Sequence, residues 1–146
     1  MKNLHKFSER LGELMFYDNN ITSDNLGEKL GLGGSSIRIW RTGKSIPSLS
    51  KAITLANYFN CSLDFLLGRI DDDIKYSPKP LPIFHEHLVS IINKRGISWY
   101  KVVKDTKVSK TSLQGWREGS DPSIVILNEL ANYLDVSIDY LIGRES

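Results

Sequence analysis

The string "SLDFLLGR" fills residues 62–69, and "SIDYLIGR" fills residues 137–144. The likeness extends well beyond those letters. Ser36–Arg69 aligns with Ser112–Arg144 across a single one-residue gap, which falls between Gly43 and Pro47 of the first copy. Trp40 matches Trp116, Gly43 matches Gly119, and Pro47-Ser48 matches Pro122-Ser123. Ala56-Asn57-Tyr58 returns as Ala131-Asn132-Tyr133, and upstream Ile21 and Leu26 match Ile97 and Val102. Agreement at loop positions as well as apolar ones separates a true duplication from shared helical periodicity. Two copies of about 65 residues do not make a solenoid, which needs three or more shorter units. The organisation expected is a first module over residues 1–70, a linker over 71–82 and a second module over 83–146. The linker, "DDDIKYSPKPLP", sets three acids before three prolines. Proline lacks the amide donor and restricts its predecessor, so this segment reads as an extended, semi-rigid linker, the alternative being a loop packed against one module.

Each copy reads as five short helices. Phe7, Leu11, Leu14 and Met15 fall at helical spacing, and "DNN" at 18–20 interrupts them. Thr22 or Ser23 caps a second helix that runs through Leu26 and Leu30 and stops at Gly31. After the turn "GLG", a third helix, "SSIRIWRTG", ends at Gly43. Ser48 caps a fourth helix with Leu49, Ala52, Ile53 and Ala56 facing inward, and Ser62 caps the fifth, "LDFLLG". The second copy repeats this from Phe84, with caps at Ser98, Ser109, Ser123 and Ser137 and a "KVS" turn. No strand pattern interrupts the series, so the fold class is all-α.

Composition narrows the function. The start, "MKNLHKFSERLGELMF", carries acids and a basic residue inside its apolar pattern, unlike a signal peptide. No apolar run is long enough to span a bilayer. The single Cys61 excludes an internal disulfide and fits a reducing cytoplasm. It aligns with Val136, so it reads as a buried structural thiol, not a nucleophile. His85 and His87 lie two apart, on different sides of a helix, where they cannot share a metal. A phosphate loop needs a preceding strand, and none is read here. The chain is therefore not read as an enzyme, and no cofactor or small-molecule effector is expected.

Two helices joined by a short turn suggest a helix-turn-helix, and the residues around that turn are more specific. "ISWYKVVKDTKVSKTSLQGWREGSDPSIVILNELANYLDVSIDYLIGR" closely resembles the phage-repressor (Xre/Cro) helix-turn-helix family. That family shows a "G-V-S" turn, a recognition helix ending near "W-x-x-G", a proline, and then "L-A-x-x-L-x-V-S-x-D-x-L-L". Both copies match, so the resemblance covers nearly the whole chain outside the linker. It implies two tandem five-helix lambda-repressor-like bundles that bind a double-stranded DNA operator. Two departures stand out. The first turn reads Gly31-Leu32-Gly33-Gly34, which leaves the third helix without a side-chain cap and without a donor at Gly34. The second turn has Lys107 in place of the usual glycine but keeps Ser109 as cap and Lys110 behind it. The modules are unequal readers.

A helix fits the major groove, where base edges present distinguishable donor and acceptor patterns. By the resemblance, Gly34, Ser35 and Ile39 of the first copy match base-contacting positions, as do Lys110, Thr111 and Gly115 of the second. Arg38 and Gln114 lie alongside, within reach of bases or phosphates. Ser23 and Trp99 begin the second helices, where the family contacts backbone phosphate, although Trp99 and Tyr100 also suit packing on the first helix. Trp40 and Trp116 read as core. Residues 94–117 hold Lys94, Arg95, Lys101, Lys104, Lys107, Lys110 and Arg117 against Asp105 alone. Residues 21–44 of the first copy hold Lys29, Arg38, Arg41 and Lys44 against Asp24 and Glu28. A net charge of +2 carries little weight, but a basic cluster on the helix pair aimed at phosphates is a nucleic-acid footprint.

The reading is a bacterial or phage transcriptional repressor. Covalent linkage raises the effective concentration of the second module once the first has bound. The alternative is a protein-interaction regulator (an antitoxin, antirepressor partner or inhibitor) using the degenerate first helix-turn-helix as its surface. The partners expected beside DNA are a second copy of the chain or a protein antirepressor. In the fifth helices, Leu63 and Leu66, or Ile138 and Leu141, are expected to anchor. Phe65 and Leu67, or Tyr140 and Ile142, should stay partly free, letting the two fifth helices pack together within one chain and hold half-sites about 34 Å apart; the alternative is that each pairs with its counterpart in a second chain.

Overall fold

Hydroxyl caps place most of the helix starts. In the computed structural model, which describes residues 4 and 6–145, ten helices and no named strand lie among the described residues. Thr22 opens α2 (Ser23–Leu30), Ser48 opens α4 (Leu49–Phe59) and Ser62 opens α5 (Leu63–Leu66). Ser98 opens α7 (Trp99–Asp105), Ser109 opens α8 (Lys110–Arg117), Ser123 opens α9 (Ile124–Leu134) and Ser137 opens α10 (Ile138–Ile142). Each of these oxygens accepts from the backbone N–H three residues on, satisfying a donor that the helix start leaves without a partner. The helices α1 (Phe7–Tyr17), α3 (Gly34–Arg41) and α6 (Phe84–Arg95) begin without a side-chain cap. Gly33 precedes α3, as the first turn predicts.

The chain divides into two compact units between Pro78 and Lys79. In the first, Phe7, Leu11, Met15, Leu26, Ile37, Leu55 and Leu63 form the core. In the second, Leu88, Ile92, Val102, Ile124, Leu127, Leu130 and Ile138 do the same. Trp40 and Trp116 are buried at 5% exposure each, and Trp116 meets Phe84 edge-to-face at 5.2 Å. Both units end their fourth helix on a left-handed residue that is not glycine, Asn60 and Asp135, each at φ 54°. Asn and Asp tolerate that region better than other side chains.

Two expectations are corrected. The segment 71–82 is not extended linker throughout. Ser62 N–H donates to Ile74 O at 2.9 Å, Tyr76 N–H donates to Asn60 O at 3.3 Å, and Cys61 bridges Lys75 antiparallel. Asp71 stands 3.5 Å from the Arg10 guanidinium. The acids that read as a linker charge are thus partly anchored, and residues 74–76 pair with backbone groups ahead of α5. The second correction concerns α5 and α10. Phe65, Leu67 and Ile142 are buried, and only Tyr140 is half-buried. The Arg10 guanidinium covers the Phe65 ring at 3.8 Å and donates to Phe65 O at 2.6 Å. The apolar ridge expected to pair the fifth helices is therefore already used.

Candidate nucleic-acid interface

In the first unit, α2 ends at Gly31, left-handed at φ 69°, and two residues, Leu32 and Gly33, separate it from α3. Glycine is required on the inner side of this corner. A Cβ on Gly27 would stand 2.6 Å from Leu32 O and 2.8 Å from Gly34 N. A Cβ on Gly34 would stand 3.0 Å from Asp24 Cα and would collide with that residue's carboxylate. Gly34 therefore faces α2. Sequence reasoning placed it at a base-contacting position, and the structure gives its missing side chain a packing role.

The other first-unit positions divide in the same way. Ser35 and Ile39 are exposed on α3, Ile39 at 48%. Arg38 is exposed but engaged: its Nη1 stands 2.6 Å from Asp24 Oδ1. Ser23, matched to a phosphate-contacting position, is buried in the first turn of α2, where Thr22 takes the cap. Arg41 lies along α1, its Nη2 3.6 Å from where a Cβ on Gly12 would be. Lys29 leans over the Tyr58 ring at 5.9 Å.

The second unit presents its cations outward. Lys101, Lys104, Lys107, Lys110 and Arg117 are exposed along α7, the turn and α8. Among the described residues, no ion pair engages Lys104, Lys107, Lys110 or Arg117. Lys101 pairs with Asp105 at 3.2 Å, and Tyr133 OH donates to the same carboxylate at 3.0 Å. The hydrogen bond to Asp105 is the main reason the Lys101 pKa lies above its ordinary value. The Lys101 and Tyr133 hydrogen bonds in turn hold the Asp105 carboxyl below the usual carboxylate range. The turn itself is held by Lys107 N–H, which donates to Glu129 Oε1 at 2.9 Å.

Thr111 is exposed beside Lys110, and Gln114, also exposed, donates to Glu118 Oε1 at 2.9 Å. Gly115 is half-buried, and a Cβ there would meet Ser120 Oγ at 2.8 Å, so this position too faces its own unit. Trp99 is half-buried and stacks on His85 of α6 at 6.5 Å, the packing role weighed for it, while Tyr100 is 77% exposed. His87 Nε2 lies 2.7 Å from Tyr140 O, so the two histidines serve separate contacts. Cys61 is wholly buried.

This corner, with a buried tryptophan closing its second helix, occurs once in each unit. A helix-turn-helix family model matches residues 18–66 and again residues 90–141, together more than half of the chain. The chain belongs to the helix-turn-helix family. It is also 30% identical over 87 residues to YobD of Bacillus subtilis (strain 168), described as an uncharacterized HTH-type transcriptional regulator. That alignment covers 58% of this chain and 72% of the relative. No solved structure matches the chain. No helix is long and apolar enough to cross a membrane among the described residues.

Proposed function

We propose that the chain is a sequence-specific double-stranded DNA-binding transcriptional regulator, most simply a cytoplasmic repressor of bacterial or phage origin, and that its second unit is the principal reader. The observation carrying this is the outward row of Lys104, Lys107, Lys110 and Arg117, free of ion pairs among the described residues, on the helix pair of a helix-turn-helix. Lys110 at the start of α8 has the reach to donate to guanine O6 and N7, and the Thr111 methyl suits a thymine methyl. Lys107, Gln114 and Arg117 are assigned to phosphates or flanking base edges, and Trp99 to support of the α7 start. In the first unit, Ser35 and Ile39 are the side chains of α3 left for base contact. The relative's description as a transcriptional regulator supports the same reading.

The two modules read from the sequence, 1–70 and 83–146, are taken as the two DNA-binding parts of the chain. Selection of duplexes from a random pool by the whole chain tests the reading. A strong motif is expected, and recovery of no motif above background would sink it.

A second reading, a protein-interaction role for the first unit, is favoured by Phe16 and Tyr17 at the end of α1, exposed at 63% and 84%. Capture of a protein partner that Phe16→Ala with Tyr17→Ala releases, leaving DNA binding intact, would support it.

A further inference from the structure

We infer that Asp24 sets how unequal the two units are, by holding Arg38 and so silencing the recognition helix of the first. The inference rests on the DNA-binding reading above and deepens it. Three observations carry it. Arg38 Nη1 stands 2.6 Å from Asp24 Oδ1, while the two side chains remain 56% and 77% exposed, so the pair lies at the open surface of the α2–α3 corner. Gly34, the first residue of α3, packs directly on Asp24, which fixes the carboxylate beside the start of that helix. At the aligned positions the second unit has exposed Tyr100, Lys110 and Gln114, so no carboxylate stands there and a cation opens the helix.

The chemistry follows from charge. A phosphate that approaches α3 meets a guanidinium already neutralised by its neighbour. Drawing Arg38 away leaves a bare carboxylate facing the DNA backbone, and like charge at that distance opposes binding. The pair as a whole releases no counterion, because it neutralises no phosphate. With Arg41 laid along α1 and Lys29 over Tyr58, Arg38 is the α3 cation that a single substitution would free. Asp24 thereby acts as a specificity-determining residue: it leaves the second unit as the principal reader.

The test compares the whole chain and its variants on a labelled random-sequence duplex, by fluorescence anisotropy between about 50 and 200 mM salt. Asp24→Asn and Asp24→Ala should bind at least about threefold tighter at the lower salt and steepen the log-log salt slope by about 0.9, one added phosphate contact. Arg38→Ala alone should change affinity by less than about twofold, since a cation already paired at the surface has little left to give. Combined with Asp24→Ala, it should abolish the gain. Glu28→Gln makes the same change of charge on α2 and should give a smaller gain without the steeper slope. Circular dichroism and thermal melting of each variant confirm that the fold persists, and Asp24→Asn keeps the size of the side chain against Gly34.

Weaker binding by Asp24→Ala would mean that the carboxylate steadies Arg38 for a contact, which overturns the inference. An Arg38→Ala loss equal to that of Lys110→Ala, or an equal gain from Glu28→Gln, overturns it too. So does binding that Lys110→Ala weakens but the Asp24 variants leave unchanged, and in that case the DNA-binding reading survives alone. Absence of binding by every form, Asp24→Asn included, removes both readings.

Discussion

Arg144 Nη1 stands 2.6 Å from Asp139 Oδ1, and the two side chains are 3% and 1% exposed. The same relation joins Arg69 to Asp64 in the first unit, both equally buried. In each unit the arginine N–H also donates to its partner's carbonyl, at 2.8 Å in both cases. Between the partners lies a left-handed glycine, Gly68 at φ 77° and Gly143 at φ 86°. This explains the repeated eight letters. The serine caps the short helix, the aspartate and arginine close a buried pair, and the glycine turns the chain between them. A Cβ at either glycine would also stand 2.5 Å from a neighbouring side chain, Lys6 in one unit and Pro82 in the other.

Removing one partner of a buried pair strands the other charge in a poorly solvated site. Asp139→Ala and Asp64→Ala should each destabilise their unit by about 3–5 kcal/mol. Urea unfolding monitored by circular dichroism checks this, and a loss below about 1 kcal/mol would show the pair to be marginal.

Glycine at the first helix-turn-helix corner is expected to matter for folding before it matters for DNA. Gly34→Ala forces a Cβ against the Asp24 backbone and should cost about 1–3 kcal/mol, the usual range for overpacking. Gly31→Ala has nothing within 4 Å and should cost only the left-handed backbone conformation, about 1 kcal/mol. Equal melting temperatures for the two variants would contradict the packing role of Gly34.

The Asp105 cluster should respond to acid. Hydrogen bonds from Lys101, and next from Tyr133, lower the folded-state carboxyl pKa below its unfolded value. The stabilisation is therefore present above about pH 3.9 and is lost as pH falls through the lower folded value. A carbon-detected NMR titration should place the Asp105 midpoint below that of a peptide aspartate. Tyr133→Phe should raise it part of the way, and no movement would mean that the hydroxyl does not reach the carboxylate.

The ten helices were legible because their signals are local. Ser48, Ser62 and Ser123 announce themselves by standing immediately before apolar helical patterns, and Gly31 by standing at the end of one. What escaped depends on contacts between elements. Asp64 and Arg69 carry no local signal of their pairing, since no local pattern tells a buried pair from a solvated one. Leu67 and Ile142 looked free because a continuing helix would carry them outward. In fact Leu67 is the C-cap of α5 and Ile142 the last residue of α10, with a left-handed glycine following each. At the candidate interface, Lys110 and Thr111 were singled out by the family resemblance and Arg117 by the basic cluster around it. The engagement of Arg38 was not, because its partner lies fourteen positions upstream, across the turn, with no helical spacing to mark it. The burial of Ser23 follows from its neighbour Thr22 taking the cap, a choice left open between two adjacent hydroxyls.

Base recognition and phosphate recognition should separate in the second unit. Lys110→Ala with Thr111→Ala should relax preference at adjacent base pairs, at about 1–3 kcal/mol for each well-made interaction with a base edge. Lys104→Ala or Arg117→Ala should instead weaken all duplexes alike and reduce the salt slope by about 0.9 each. The slope of the unaltered chain counts the engaged cations. Two equal readers with about three phosphates each would give roughly −5, whereas one reader with three gives roughly −3. With Arg38 held by Asp24, the shallower value is expected. A slope near −5 that Asp24→Asn leaves unchanged would mean that both units already engage the backbone fully. A slope near zero, with binding kept at high salt, would remove phosphate recognition from the account altogether.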